Sequence, residues 1–559
     1  MSAAEVIRRE LPAVLPGLLL AVTLATLPYG WRGQCSWIAD YDELAFYLPV
    51  GAKAYREHPW RLADPATGGP TYYQPLSVVP GIVLLRVLGG SPWSLGLAWR
   101  LWGGIAAALL WYAALRWKLR PWAAAWATLL VLCDPGVLQG QLGYALLKTG
   151  VRHLSGADLG PTPTAASLPQ WRIWNPLLSW PWWLAFLLLA SRAAEQPSRG
   201  RILAAGTSCG LLFHIYFYFW TTAVAGLLLA CLADRHRAVT YVKILGLGLL
   251  LGLPALAGAV QFRQQYGADW LLRTDKFLPV PRGSELLLPR LSLLLVAAAW
   301  VWVWRRGREV RFLACLATAA LLLLHHTLLT GLQIENFHWN FALGPALSLL
   351  VIFLLADLAN CFPLVQRWGG TLAKSGITAA VLLALVLWAR ACSLLPENQH
   401  IQQVTQDYHF QRANCALPAG GTVAGDPDFQ YLAAIDAGLR PLAGYTAVLS
   451  PIREAELSER LALNACLLGQ SRAQFEAEQR EQLARNRWGA EARSAAVRAQ
   501  RLAERLAAWE AVNADLAGAV RRYDVRLVAR PPGAPEQPPS PEWVLLARGP
   551  RWTLYVRRE

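Results

Sequence analysis

Residues 39–60 read ADYDELAFYLPVGAKAYREHPW and follow the first long apolar run of the chain, which ends near residue 31. Asp40, Asp42 and Glu43 lie together in this stretch, although the whole chain carries a formal net charge of +16. Carboxylates placed directly after a membrane-length run indicate a loop that faces water and attracts cationic groups. The distribution of basic residues along the chain then predicts which side of a membrane these acids face.

The composition is that of a polytopic membrane protein. Hydrophobic residues make up 55% of the 559 residues, Trp occurs 27 times, and several apolar runs approach the ~20 residues that span a bilayer. This composition excludes a soluble protein, and we expect the N-terminal run to be a retained helix. The basic excess is better explained by cytoplasmic anchoring and anionic lipid than by nucleic acid. The sequence contains no Gly-rich phosphate loop, HExxH motif or CxxC pair.

Clusters of Arg and Lys predict the topology, because positive residues concentrate on the cytoplasmic side. Placing them in the cytoplasm gives about eleven crossings and leaves the C-terminus outside. The run 202–234 then crosses twice, with a turn near residues 214–219. The apolar segment 76–89 is too short to span, so we expect an interfacial or re-entrant helix there. The other predicted spans lie near residues 11–31, 94–115, 121–140, 172–191, 242–262, 286–304, 311–332, 337–359 and 375–395.

We expect two domains. A transmembrane domain covers residues 1–396 and includes a first outer loop at residues 32–93. Residues 397–559 are polar, with helical and strand-like patterns, and predict a soluble extracytoplasmic α/β domain. Cys415 and Cys466 fall in this domain. The sequence leaves open whether they form a disulfide bond or remain free thiols. The fold class predicted is an α-helical polytopic protein of the cell (inner) membrane with this domain outside.

With this topology, acids and cations meet on the outer face. The first loop carries the acids, and the later outer loops carry cations and aromatic residues. A carboxylate accepts the proton of a hydroxyl group, and Arg or Lys stabilises a leaving phosphate. Trp and Tyr at the interface can hold a prenyl chain and a sugar face. The arrangement suits a reaction on an anionic substrate held in the membrane.

Two segments resemble the GT-C superfamily of integral membrane glycosyltransferases, which includes protein O-mannosyltransferases and the aminoarabinose transferases of lipid A. Residues 42–60 are similar to the Asp-Glu-x-x-Tyr stretch of these enzymes. Residues 71–104 are similar to their segment from Tyr-x-Pro-Pro-Leu to Leu-Arg. By this resemblance Asp42 matches the catalytic acid, Glu43 is its neighbour, and Arg100 matches an Arg at the membrane edge.

The sequence departs from the pattern of the superfamily at two positions. Gln74 stands where many members have Pro, and Asp40 forms an Asp-x-Asp pair with Asp42, so which Asp acts stays open. The resemblance implies an inverting glycosyltransferase that moves a sugar from a polyprenyl-phosphate donor to a lipid, glycan or protein acceptor at the outer face. A divalent cation held by Asp40 and Asp42 is compatible with these residues but is not required by them.

Candidate site residues follow from the outer-face placement and the resemblance. The predicted catalytic residues are Asp42, Asp40 and Glu43. The residues expected to bind the donor phosphate or lipid are Arg100, Arg273, Lys276, Arg282, His338 and Arg172. The residues expected to line the substrate site are Tyr72, Tyr73, Gln74, Tyr216, Tyr218, Glu335 and Asn336.

Other interpretations stay open at this point. The acids can be a solvated helix N-terminus, and Arg100 can extend to lipid headgroups. A polytopic transporter or flippase for a lipid-linked or anionic solute is the main alternative function. It is disfavoured because no repeat is visible and the ionisable groups lie at helix ends. An assembly protein whose C-terminal domain binds a partner is a third hypothesis, and it predicts no dependence on the acids.

Overall fold

The computed structural model describes residues 3–30, 36–71, 74–133, 172–274, 278–282, 290–305, 310–361, 370–394, 396–485 and 494–558. The predicted site residues Tyr72, Tyr73 and Lys276 lie outside these ranges. The N-terminal two thirds of the described chain are built from apolar helices, and the C-terminal third contains a sheet covered by helices.

The helices of the N-terminal part are mostly apolar. They are α1 (Ala3–Gly30), α2 (Leu48–Arg56), α3 (Val79–Val87), α4 (Leu95–Leu115), α5 (Pro121–Cys133), α6 (Trp180–Glu195), α7 (Arg199–Leu212), α8 (Phe217–Ala233), α9 (Ala238–Arg273), α10 (Arg290–Arg305), α11 (Arg311–Leu324), α12 (Thr327–Thr330), α13 (Asn340–Cys361) and α14 (Gly370–Leu394). A two-stranded ladder pairs β1 (Leu278–Pro279) with β2 (Leu332–Gln333). Short π-helical turns at Glu43–Tyr47 and Ile173–Leu178 precede α2 and α6.

Four helical segments within the described residues are long and apolar enough to cross a membrane, namely Arg8–Leu27, Ile173–Glu195, Arg235–Tyr266 and Asn336–Cys361. Other predicted spans fall on shorter apolar helices, including α5, α8 and α11. The chain therefore has a polytopic membrane fold, and the number of about eleven crossings stays a prediction. The run 202–234 forms two helices, α7 and α8, as expected.

The helix α9 is the longest of the described elements, with 36 residues. At 1.5 Å per residue it measures about 54 Å, which exceeds the ~30 Å hydrocarbon layer. Its C-terminal third therefore continues beyond the apolar layer. There it carries Trp270 and Arg273 to the C-terminal domain.

The segment 76–89 contains a helix of only nine residues, α3, which is too short to span a bilayer. It packs on α4, where Trp99 Nε1 donates a hydrogen bond to the carbonyl oxygen of Val78 at 3.0 Å. Gly81 makes this approach possible, because a Cβ at this position would collide with the Trp99 ring. The short helix thus braces the first loop against the membrane helices.

The C-terminal domain is an α/β unit with a five-stranded sheet in the order β4-β3-β5-β7-β6. The strand β3 is parallel to β4 and β5, and β5-β7-β6 is antiparallel. The strands are β3 (Thr422–Gly425), β4 (Arg440–Pro441), β5 (Val525–Arg530), β6 (Trp543–Arg548) and β7 (Thr553–Arg557). The helices are α15 (Pro396–Asn414), α16 (Pro427–Ala437), α17 (Tyr445–Leu449), α18 (Glu454–Leu467), α19 (Arg472–Arg485), α20 (Ala495–Ala514) and α21 (Leu516–Arg522).

The two faces of this sheet bury different cores. Val423 and Leu527 pack in a core that also contains residues of the first loop and α4. Ala424 and Val528, one residue further along each strand, pack in a second core with α18. Because one core contains residues from both parts of the chain, the sheet is fixed to the first loop by apolar burial.

The disulfide alternative for Cys415 and Cys466 is wrong, since both are free thiols. Cys415 packs against the core shared with the first loop, and Cys466 packs against the core on the other face of the sheet. The sheet therefore separates the two sulfur atoms.

Candidate active site

The acids of the first loop occupy different environments. Asp40 Oδ1 accepts a hydrogen bond from the backbone N–H of Glu43 at 2.9 Å, which closes the turn before the π-helix. Burial raises the pKa of Asp40 well above its usual range, and the carboxylates of Glu43 and Asp42 raise it further. Asp42 is half-buried and lines a large cavity, whereas Asp40 is not among the described residues that line it. The interpretation as a helix N-terminus thus fits Asp40 better than Asp42.

Glu43 is fully buried and forms an ion pair with Arg100 on α4. Its Oε2 atom also accepts a hydrogen bond from the backbone N–H of Ala39 at 2.9 Å. Burial raises the pKa of Glu43, and the Arg100 charge acts in the opposite direction. The carboxylate therefore connects the loop to α4 instead of facing the cavity.

The position of Arg100 contradicts its predicted contact with a donor phosphate. Its side chain has no exposed surface, and its Nη1 atom donates to the carbonyl oxygens of Trp37 at 3.0 Å and Gly96 at 3.3 Å. A guanidinium enclosed in this way cannot touch a ligand in the cavity. The same burial excludes the alternative that it extends to lipid headgroups.

The cavity has a volume of about 1440 Å³ and lies between the membrane helices, the first loop and the C-terminal domain. Ligand sites of drug-sized molecules usually measure about 300–1,000 Å³, so this space suits a larger, elongated molecule. It brings together many residues that the sequence predicted for the site, namely Asp42, Gln74, Arg172, Tyr216, Tyr218, Arg273, Glu335 and His338.

Asp42 and Arg172 form the charged centre of one wall. Arg172 directly precedes the π-helix that leads into α6, and its charge interacts with those of Asp42 and Asp40. Tyr445 of the C-terminal domain lines the same cavity, with its hydroxyl near the Asp42 carboxylate. Burial, together with this carboxylate, raises the pKa of Tyr445, so the hydroxyl keeps its proton. The wall holds a carboxylate with an anion-binding group beside it.

A second polar cluster also lines the cavity. The Tyr216 hydroxyl lies 2.6 Å from His338 Nδ1, and Tyr218 donates to the carbonyl oxygen of Ile334 at 2.6 Å and to Glu335 Oε2 at 3.4 Å. Glu335 adopts a left-handed backbone conformation, with φ of 47°, which turns its side chain toward these tyrosines. The cluster offers hydroxyl, imidazole and carboxylate groups to a polar ligand.

Asn336 is close to this cluster but does not line the cavity, which corrects its predicted role. Its side chain is buried, and its Oδ1 atom lies 2.8 Å from His326 Nε2. His326 in turn contacts the Thr330 hydroxyl at 2.9 Å through Nδ1. Asn336 therefore supports the loop that carries Glu335 and His338.

Arg273 lines the cavity, but its guanidinium is bound to the C-terminal domain. It forms an ion pair with Glu454 at 2.8 Å and donates to the carbonyl oxygens of Val448 at 2.9 Å and of Ser450 and Ile452 at 3.0 Å. Its side chain is 4% exposed, so it is better placed to fix residues 448–454 than to bind a phosphate.

Of the remaining predicted residues, Arg282 does not join the site, and Tyr72, Tyr73 and Lys276 lie outside the described ranges. Arg282 is exposed beyond β1 and does not appear among the described residues that line the cavity. Within the described ranges, no group of three or more His, Cys, Asp or Glu side chains could hold a metal ion. The structure thus gives no support to a cation at Asp40 and Asp42.

Sequence reasoning missed Arg61, Trp270 and Tyr445, which all line the cavity. Arg61 directly follows the quoted acidic stretch, so its proximity in sequence was an available signal. Tyr445 lies about 400 residues after Asp42 in a polar domain, and no local pattern links the two residues.

The sequence matches no protein-family model and no curated protein. Solved structures that are similar to the chain include an ArnT and an oligosaccharyltransferase. ArnT from Cupriavidus metallidurans, solved with bound undecaprenyl phosphate, is 11% identical, covers 99% of this chain and 98% of its own, and has a TM-score of 0.51. The oligosaccharyltransferase of Archaeoglobus fulgidus, solved as a complex with Zn and sulfate, is 13% identical, covers 93% of this chain and 68% of its own, and has a TM-score of 0.46.

The similarity to ArnT extends over nearly the full length of both chains, including the membrane helices and the C-terminal domain. At this level of identity the similarity shows the fold alone. The chain therefore has an ArnT-like fold.

Proposed function

We propose that this protein is an inverting glycosyltransferase of the GT-C type, which moves a sugar from a polyprenyl-phosphate donor to a hydroxyl acceptor at the outer face of the cell membrane. The observation that carries the proposal is the placement of Asp42 beside Arg172 on one wall of a cavity of about 1440 Å³. A proton acceptor and an anion-binding group in one large space are the two elements that this reaction needs.

The apolar part of the cavity suits a prenyl chain. It is lined by aromatic and aliphatic side chains of α8, α9 and the turn before α8, including Phe213, Phe217, Trp220, Leu256 and Phe262. Apolar lining of this kind binds a hydrocarbon chain by removing it from water. The similarity in fold to ArnT, which was solved with undecaprenyl phosphate, supports the choice of a polyprenyl-phosphate donor.

The donor phosphate is assigned to the basic side of the cavity. A sugar linked to a polyprenyl phosphate is a phosphodiester with one negative charge, and the phosphate that leaves is a monoester that gains a second charge. Arg172 is the half-buried cation nearest to Asp42 in this proposal, and Arg61 and Arg263 line the exposed part of the cavity. A guanidinium stabilises the additional charge through paired hydrogen bonds.

Asp42 is assigned as the general base. The acceptor hydroxyl transfers its proton to the Asp42 carboxylate while its oxygen forms a bond to the anomeric carbon. The bond between the anomeric carbon and the phosphate oxygen breaks on the opposite face, and that electron pair leaves with the polyprenyl phosphate. The Tyr445 hydroxyl lies near the Asp42 carboxylate and borders the same space. Asp40 is not chosen because its Oδ1 atom closes the turn at Glu43.

Glu43, Arg100 and Arg273 have positioning roles in this proposal. The ion pair of Glu43 and Arg100 fixes the loop that carries Asp42 to α4. Arg273 fixes residues 448–454 and thereby the helix that carries Tyr445. One contact fixes the segment that carries the base, and the other fixes the helix that carries Tyr445.

The proposal is tested with the purified full-length protein in proteoliposomes that contain undecaprenyl-phosphate-linked sugars and an extract of envelope glycans and lipids as the acceptor. We expect free undecaprenyl phosphate to accumulate as sugar is incorporated into the acceptor fraction. A transporter would instead move the intact donor between leaflets. Movement of the donor without cleavage of the bond between sugar and phosphate would contradict the proposal.

A further inference from the structure

A second, smaller pocket lies in the C-terminal domain on the far side of Tyr445. Its volume is about 320 Å³, at the lower end of the range for small-molecule sites. It shares four described lining residues with the large cavity, Tyr445, Val448, Leu461 and Gln482, so the two spaces are neighbours. A space of this size holds a small ligand but neither a prenyl chain nor a folded partner.

The smaller pocket has the opposite electrostatic character from the large cavity. Among the described residues that line it there is no Lys or Arg, and Glu478 is the charged one. The large cavity, in contrast, is lined by several arginines, including Arg61, Arg172 and Arg263. An anionic ligand is therefore attracted to the large cavity and repelled by the carboxylate of the smaller pocket.

The polar groups of the smaller pocket suit hydroxyl groups. Gln470 and Gln482 both donate to the Glu478 carboxylate, each at 2.9 Å. Gln470 Oε1 is buried and accepts no hydrogen bond from the described part of the chain. A buried acceptor of this kind is satisfied by a donor from water or from a ligand, and a ligand hydroxyl supplies one.

Aromatic rings form the other side of the smaller pocket. Tyr41, Tyr431 and Tyr445 meet there. The ring centroid of Tyr41 lies 5.9 Å from that of Tyr431 and 6.4 Å from that of Tyr445. The Tyr431 hydroxyl accepts a hydrogen bond from the backbone N–H of Tyr445 at 2.6 Å, which fixes the start of α17. Gly444 has φ of 86°, and a Cβ at this position would collide with that hydroxyl.

We infer that this pocket binds the acceptor and that the acceptor is a neutral saccharide. The inference rests on the proposed function, because it names the second substrate of the same site. Aromatic rings with amides and a carboxylate bind the apolar face and the hydroxyl groups of an uncharged sugar. Tyr445 lines both spaces and Asp42 lines the large cavity near it, so a sugar in the pocket presents a hydroxyl group toward the base.

The test measures binding to the full-length protein in nanodiscs with two kinds of probe. Cellobiose, maltose and chitobiose are the neutral probes, and glucuronic acid and glucose 6-phosphate are the charged ones.

Three variants accompany the wild-type protein. Ala465 lines the smaller pocket but not the large cavity, so Ala465→Leu fills the smaller pocket. Glu478→Ala removes the exposed carboxylate without altering a core. The matched control is Glu476→Ala, on the same helix and outside both described linings.

We expect at least one neutral probe to bind, and the charged probes to bind about tenfold more weakly or not at all. We expect Ala465→Leu and Glu478→Ala each to lower the affinity for the neutral probe by about tenfold or more. Glu476→Ala should change this affinity by less than about twofold. The inference is overturned if no neutral probe binds the wild-type protein, or if both pocket variants bind it unchanged.

Undecaprenyl phosphate binding is measured in the same samples, so that the two proposals fail separately. We expect all three variants to bind this lipid with wild-type affinity. Failure of the wild-type protein to bind undecaprenyl phosphate would count against the proposed donor and not against the saccharide pocket. Thermal unfolding of Ala465→Leu identifies a folding defect, and Glu478→Ala then decides the result.

Discussion

Glu43 and Arg100 form an ion pair in which neither side chain exposes more than 1% of its surface. The pair connects the first loop, where Glu43 follows Asp42 directly, to the helix α4. A buried pair contributes little net stability compared with apolar residues of similar volume, but removal of one partner leaves an uncompensated charge. The pair therefore fixes the position of the loop more than it stabilises the fold.

Glu43→Gln should lower the free energy of unfolding by about 3–5 kcal/mol, because Arg100 loses its counter-charge in a buried site. Arg100→Met should have an effect of similar size. The double variant Glu43→Gln with Arg100→Met should recover much of this loss, since both charges are then absent. Thermal and denaturant unfolding in detergent measure the cycle. Two single effects that simply add in the double variant would contradict the buried pair.

Arg172→Gln should lower the rate of transfer by about 10²–10³-fold, because the leaving phosphate loses a cation in a partly buried site. Binding of undecaprenyl phosphate should weaken as well. The control is Arg192→Gln, an exposed residue at the far end of α6, which should retain full activity. Equal activities of the two variants would remove Arg172 from the proposed site.

Arg273→Leu should release residues 444–454 from the cavity wall, because the side chain supplies an ion pair and three hydrogen bonds to that segment. Hydrogen exchange of these amides should become at least about tenfold faster, since local opening then costs less. The matched control is Arg440→Leu, whose partner Asp524 is exposed and contributes about 0–1 kcal/mol. Unchanged exchange at 444–454 would contradict the role of Arg273.

Asp40→Asn should increase the free energy of unfolding, and this increase should become larger as the pH rises. Burial raises the pKa of Asp40, so the folded state holds a proton that the unfolded state releases. Folded stability then falls as the pH rises above the ordinary Asp pKa of about 4, and Asn removes this dependence. Asn also keeps the Oδ1 acceptor for the Glu43 N–H. A melting temperature with the same pH dependence in both proteins would contradict the raised pKa.

Local features of the sequence predicted the parts of the structure that depend on local physics. Apolar runs predicted the helices, and the shortness of segment 76–89 predicted a helix that does not span. The strand-like patterns in residues 397–559 predicted strands, among them β6 and β7. The acids after the first run predicted a loop near charged groups, and Asp42 lies beside Arg172 in the cavity.

Contacts between residues distant in the sequence were not predictable in the same way. Arg100 forms an ion pair with Glu43, which lies 57 positions earlier in the sequence. The sequence does not reveal that the pair is buried, where a ligand cannot contact it. Glu335 and Asn336 are adjacent in the sequence, but the loop turns their side chains in different directions. Only Glu335 lines the cavity, and the sequence does not show which of the two does. The contribution of Tyr445 depends on how the C-terminal domain docks, which requires the shared core. Each of these follows from packing and not from a local pattern.

The central claim is that the Asp42 carboxylate takes the proton of the acceptor, and its most direct test compares Asp42→Asn with Asp40→Asn. Both substitutions replace one carboxylate by an amide of similar shape in the same loop. The measurement is the rate of sugar transfer from undecaprenyl-phosphate donors by the full-length proteins in proteoliposomes. We predict a loss of about 10²–10⁴-fold for Asp42→Asn and near wild-type transfer for Asp40→Asn. Full transfer by Asp42→Asn, or loss confined to Asp40→Asn, would contradict this account.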